Sequence, residues 1–162
     1  MISKKLQDAF NEQIQAETHS AYLYLSMAAC FHAVGMEGMA HWMEVQTKEE
    51  NGHAEKFFKQ IIDRGGRVEL LAIDKPKFEW ATPLEAFTDA YKHELYITDR
   101  INNLVKLAAE EGDNAASVFL QWFITEQVEE EMNASKIVGM LEKIKDSTNG
   151  FFMLDHQLAK RE

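Results

Sequence analysis

The stretch Glu50-Asn51-Gly52-His53 decides how the rest of the chain is read. Residues three apart on a helix lie on one face, a turn apart. Going back from Glu50, the stripe runs through Met39, Met43 and Gln46, and going forward through Phe57 and Ile61. The steps are 4, 3, 4, 3, 4 and 4 residues, the period of a core-facing helix. Glu50 and His53 therefore stand where the pattern wants Leu or Ile. A carboxylate and an imidazole inside a bundle are costly unless something compensates them. A metal ion compensates both at once. A buried Glu–His hydrogen bond, or a stripe that is polar because it is exposed, would leave the same short motif. The other helices have to decide.

Upstream, a first helix is expected from about Lys4 to about Val34, with the stripe Phe10, Ile14, Ala21, Tyr24, Ala28. Glu17 falls inside that stripe, three after Ile14 and four before Ala21. Gly35-Met36-Glu37-Gly38 breaks the helix, and the short turn forces the second helix back antiparallel. The second helix carries the opening motif and stops at Gly65-Gly66. Downstream, Thr82-Pro83-Leu84-Glu85 gives an N-cap, a Pro in the first helical position and a capping box. The third helix bears Leu84, Phe87, Tyr91, Ile97, Ile101 and Leu104, with Glu94 in the stripe. Gly112-Asp113 closes it and caps the fourth. The fourth runs through Ala116, Phe119 and Phe123, turns polar at Gln127 and Glu130, and becomes apolar again at Ile137, Leu141 and Ile144. Asn149-Gly150 is read as its end, and a short stretch from Phe151 to Glu162 follows.

Residues 67 to 81 show no helical period and include Pro76. Helices of about thirty residues are roughly 45 Å long. Fifteen extended residues reach roughly 50 Å at about 3.3 Å each. The loop can just run the length of the bundle, which makes the second and third helices parallel. The expected fold is all-α: a four-helix bundle with one long crossover between helices 2 and 3, the ferritin-like connectivity, to which the family resemblance described below adds a short fifth helix. Residues 1–146 form the bundle and 147–162 a short helix or tail.

Composition bounds the function. At 162 residues the chain is one domain; 46% hydrophobic content suffices for a core, and 2 Pro and 8 Gly suit long helices. A formal net charge of −10 argues against nucleic acid and is compatible with cations. The single cysteine, Cys30, has no internal disulfide partner. With no signal-like apolar start and no membrane-length apolar run, a reducing cytoplasm is expected, without membrane association.

Glu17 and Glu50 each lie about thirteen residues into their helices, Glu94 about eleven and Glu130 about sixteen. Near mid-helix the depth is similar whichever way a helix points. Four helices thus interrupt their apolar stripes at one height, the level expected of a metal centre. The four carboxylates total −4, which two divalent ions neutralise. Without metal, crowding must raise the carboxylate pKa values, and metal binding must release protons. Four carboxylates and one imidazole form a hard, oxygen-rich donor set that suits Fe(II) or Mn(II), with zinc binding opportunistically. Iron adds redox chemistry with dioxygen.

On Glu17, Glu50, His53, Glu94 and Glu130, with Tyr24, Trp122 and Gln127 alongside, residues 1 to about 145 resemble the non-haem bacterial ferritins. The resemblance implies a di-iron centre: Glu17, Glu50 and His53 hold one iron, and Glu50 bridges to a second completed by Glu94 and Glu130. It places Gln127 beside the pair, near bound oxygen or water. Tyr24 is an electron donor, a hydrogen-bond partner of the site, or simply an interior tyrosine. Glu49, Glu126 and Glu129 would form a third iron site facing an inner cavity. Their alternative is a solvated acidic face, since Glu129-Glu130-Glu131 is a charge run. Haem is not expected: bacterioferritins carry a Met ligand between this Glu and His, and Gly52 stands there. His19, His32, His41, His93 and His156 form no second cluster and are read as surface residues.

The implied function is iron storage with ferroxidase activity. Fe(II) is oxidised by O2 or H2O2 and kept as a ferric oxyhydroxide mineral inside a hollow shell of twenty-four subunits, with the fifth helix at the assembly axes. A rubrerythrin- or peroxidase-like di-iron enzyme is the first alternative. It is disfavoured by the lack of Cys-x-x-Cys pairs and by Gln127-x-x-Glu130 where a second Glu-x-x-His would stand. A helical binding module without metal chemistry is the other.

Overall fold

The computed structural model describes residues 1–145 and 147–162. Five helices follow one another: α1 Lys4–Ala33, α2 Glu37–Asp63, α3 Pro83–Glu110, α4 Asn114–Ile144 and α5 Thr148–Leu158. No strand occurs among the described residues.

The caps explain most boundaries. Ser3 accepts from Leu6 N at the start of α1, Thr82 from Glu85 N at α3, and Asp113 from Ala116 N at α4. Each satisfies an orphan donor of a first turn. In return Glu85 accepts from Ala81 N, tightening the entry to α3. Gly35, Gly65 and Gly112 follow helix ends with φ of 72°, 70° and 63°, a left-handed conformation that glycine adopts without penalty.

Two boundaries differ from expectation. The first break ends at Met36, so Glu37 and Gly38 belong to α2. Gly38 is small for another reason. A Cβ there would lie 1.8 Å from Asp155 O of α5. The same Asp155 accepts from Met39 N at 2.8 Å, capping a helix whose own Met36 supplies no side-chain cap. At the other end, α4 stops at Ile144, and Asn149 and Gly150 lie inside α5, capped by Ser147. The domain division at 146/147 falls at Asp146, outside the described residues.

Two apolar clusters fill the bundle. One gathers Phe31 of α1, Met39 and Trp42 of α2, Phe87 of α3 and Leu141 of α4, closed by Leu154 and Leu158 of α5. The other gathers Leu6 and Phe10 of α1, Phe57 and Ile61 of α2, Ile101 and Ala108 of α3, and Ala116 and Leu120 of α4. Hence α2 and α3 start at the same end of the bundle and run parallel, and α1 and α4 run opposite to them. The crossover lies along α1, which donates to it from Asn11 (Arg67 O, 3.2 Å), Gln15 (Ala72 O, 3.1 Å) and Ser26 (Lys77 O, 2.8 Å). These bonds satisfy carbonyls that have no helix to join. Among the described residues no helix is long and apolar enough to cross a membrane.

Candidate metal centre

Between the two apolar clusters lies a polar layer. Glu17, Glu50, His53, Glu94, Gln127 and Glu130 are at most 4% exposed, as sequestered as Phe57. Every helix of the bundle contributes, because each stripe changes character at the same depth.

Glu17, Glu50 and His53 have ligand atoms within 4.8 Å of one another, and so do His53, Glu126 and Glu130. His53 joins the two groups by its two nitrogens. Nδ1 lies 3.4 Å from Glu50 Oε2, and Nε2 lies 3.6 Å from Glu126 Oε1. Trp122 of α4 packs edge-on against the imidazole at 5.5 Å, with Lys56 over the indole at 4.1 Å. Glu94 stands outside both groups. The Tyr24 hydroxyl donates to its Oε1 and Gln127 Nε2 to its Oε2 at 3.3 Å. Tyr24 is thus a hydrogen-bond partner of a candidate ligand, one of the roles open to it from sequence.

Amide donors hold the other carboxylates. Gln13 donates to Glu17 Oε1 at 2.8 Å. Gln46 donates to Glu50 Oε1 at 3.2 Å and to Glu130 Oε2 at 2.7 Å, joining α2 to α4. Glu17 Oε2 is buried and receives no amide or hydroxyl donor, leaving only a proton shared with Glu50 to satisfy it. An orphaned carboxylate oxygen beside an imidazole and further carboxylates fits a hard cation, which takes up lone pairs that protein donors leave free.

The electrostatics agree. Burial, then repulsion from Glu50, pushes Glu17 up to about 8. Burial, then Glu130, pushes Glu50 up to about 8. Burial, then Glu50, pushes Glu94 up to about 8, and burial, then Glu94, pushes Glu130 up to about 7. Burial and the neighbouring Glu94 also hold the Tyr24 phenol well above its usual range. Such a cluster shares protons when metal-free and gives them up to a cation.

The flanking acids behave differently from one another. Glu126 is half-buried and within the second group, Glu49 is half-buried, and Glu129 is exposed. Burial raises the Glu49 pKa, Arg161 pulls it back, and Glu126 and Glu129 add smaller upward pushes. Gly52 faces open space, with nothing within 4 Å of a Cβ built there, so close packing does not explain it.

The histidines are not uniformly superficial. His32 and His156 are exposed, but His19, His41 and His93 are partly buried. His93 Nε2 lies 2.7 Å from Ser20 Oγ, and its ring stands edge-on to Tyr24 at 6.2 Å. Burial, then the charge of His19, pushes His93 down to about 4. The position faces α1 and misses the apolar stripe, so periodicity alone put it outside.

The ferritin-like domain family model matches residues 7–144. The chain belongs to the ferritin family. The bacterial non-haem ferritin of Bacteroides fragilis (strain 638R) is 45% identical over 161 residues, 99% of this chain and 100% of that one. The corresponding protein of Staphylococcus aureus (strain USA300) is 36% identical over 99% of this chain and 97% of its own. An open-pore ferritin from the hyperthermophilic archaeon Archaeoglobus fulgidus superposes with a TM-score of 0.99 at 47% identity, covering both chains in full. As a ferritin the chain is an iron-storage protein, and the buried carboxylate–histidine layer is its candidate iron centre.

Proposed function

We propose that the chain oxidises Fe(II) at the buried layer before storing it. Two Fe(II) enter as substrate. Glu17, Glu50 and His53 take the first, Glu94 and Glu130 the second, and Glu50 reaches both. The carboxylates surrender their shared protons on binding and then balance the charge of the oxidised ions. The pair passes two electrons to O2 or H2O2, and the paired geometry holds both donors against one oxidant. Tyr24 and Gln127 orient Glu94 from opposite sides. The second position lacks a histidine, so its ion is held less firmly and moves on. Glu49, Glu126 and Glu129 form a third, transfer position toward an inner cavity. Fe(III) collects there as an oxyhydroxide within a shell of twenty-four subunits, with α5 at the assembly axes. The protein works in the cytoplasm and uses no haem.

The observation that carries this reading is the layer where four helices each bury a glutamate, with a Glu17 oxygen that no amide or hydroxyl reaches. Anaerobic Fe(II) titration followed by air tests it. The expected result is oxidation faster than buffer, with far more iron retained than the about two ions per chain of a resident di-iron cofactor. Retention of two ions only would make it a di-iron redox enzyme. No uptake would remove the metal chemistry altogether.

A further inference from the structure

Arg161 follows α5 and comes back over α2. Its guanidinium donates to Gln46 Oε1 at 2.7 Å and Trp42 O at 3.3 Å, pairs with Glu49 Oε2, and lies 4.4 Å over the Trp42 ring. Its backbone is held as well: Arg161 N donates to Leu158 O, and His41 Nε2 lies 2.8 Å from Arg161 O. The arginine side chain is 17% exposed and Glu49 38%. This is a seated cation, not a surface charge that happens to find a partner.

Its consequences reach the centre through one amide. Gln46 presents its oxygen to Arg161 and therefore its nitrogen to Glu50 and Glu130. An amide has one acceptor and two donors, so the arginine fixes which end faces the iron ligands. An equivalent relay exists on the other side: Arg100 donates to Gln13 Oε1 at 2.9 Å, and Gln13 donates to Glu17. Only the Arg161 relay also neutralises a flanking acid. Beside it a cavity of about 230 Å³, bordered by Trp42, Asn133 and Arg161, gives the guanidinium room to withdraw.

We propose that Arg161 is a positioning residue and a displaceable internal cation of the iron centre: it locks Gln46 onto Glu50 and Glu130 and holds Glu49 Oε2, so that a third metal ion takes both oxygens of Glu49 only by displacing the guanidinium and, with it, the 159–162 segment. The proposal rests on the reading that Glu49 belongs to a third, transfer position. It makes loading of that position and release of the segment one event. Iron then leaves the pair toward the cavity only when enough cation is present to compete with the guanidinium.

The test uses the full-length assembled protein and redox-silent Zn(II) as probe. Calorimetric titration of the parent is expected to give two tight ions per chain and a weaker third. In Arg161→Ala the third tightens by about tenfold, the order expected for loss of one competing charge-assisted bond. Hydrogen exchange in the parent should accelerate at 159–162 as the third ion binds, and not with the first two. Glu49→Gln should lose the third ion and show fast exchange at 159–162 without metal. Arg161→Lys keeps the charge but not the forked contact, and should fall between parent and Ala. If the third affinity in Arg161→Ala equals the parent's and exchange at 159–162 ignores Zn(II), the proposal fails while the iron pair stands. Absence of a third ion from both proteins, with two still bound, also overturns it. Failure of all Zn(II) binding would instead remove the reading beneath it.

Discussion

The bundle buries two kinds of interior that are equally dry and do opposite work. The end around Phe10, Phe57, Phe119 and Phe123 is a set of rings in contact, with centroids 4.4 to 5.7 Å apart. About two turns away, Glu17, Glu50, Glu94 and Glu130 are nearly as inaccessible as Phe10, Phe57 and Phe123, yet burial and mutual repulsion resist their charge. The apolar ends hold the helices in register. The layer between them gives up part of that stability to keep four carboxylates buried at one level. Removal of side chains from the two regions should therefore fail in different ways.

The largest free-energy effect belongs to the apolar side. Phe57→Ala removes a fully buried ring and should cost about 3–5 kcal/mol of stability in denaturant titration. Oxidation per folded chain should stay within a few-fold of the parent. Loss of oxidation without loss of stability would mean the ring serves the site. Glu50→Ala is the converse. Stopped-flow oxidation should slow by about a hundredfold or more, since even removing a group that only orients a ligand costs ten- to a hundredfold. The metal-free fold should be no less stable, because one repelling carboxylate has gone. An unchanged oxidation rate would sink the assignment.

A third difference concerns pH. The layer's carboxylates ionise near 4.5 when exposed and at about 7 to 8 in the fold. Their folded pKa values are raised, so their contribution is fully present below about 4.5 and is lost as pH climbs through 7 to 8. His93 has the opposite sign: it is depressed to about 4, and its contribution is lost as pH falls below 6.5. Between pH 6.5 and 8 the layer dominates. The Tm of the metal-free protein should fall over that interval, and saturating Zn(II) should abolish the fall. An identical fall with Zn(II) present would show that the layer does not bind it.

The comparison also explains what could be read in advance. Stripe periodicity placed the four glutamates because a charge in an apolar register is conspicuous, and the caps at Thr82 and Asp113 depend on neighbours in sequence. Gly38 looks like part of a helix break, but its smallness answers to Asp155, more than a hundred residues away. Asn149-Gly150 looks like the end of α4, although Ser147 caps a new helix there. Gln13 and Gln46 were legible in principle. Each stands four residues before a candidate ligand, at the spacing that brings side chains together. Arg161 was not, since no local pattern announces a residue folded back over a distant helix.

The most direct test is a crystal of this chain soaked anaerobically in Fe(II), with anomalous data collected at the iron edge. Two peaks per subunit are expected inside the layer, about 3.5–4 Å apart, one beside Glu17, Glu50 and His53 and the other beside Glu94 and Glu130. Iron found only on exposed acids such as Glu110 and Glu111, with none between the helices, would contradict the account.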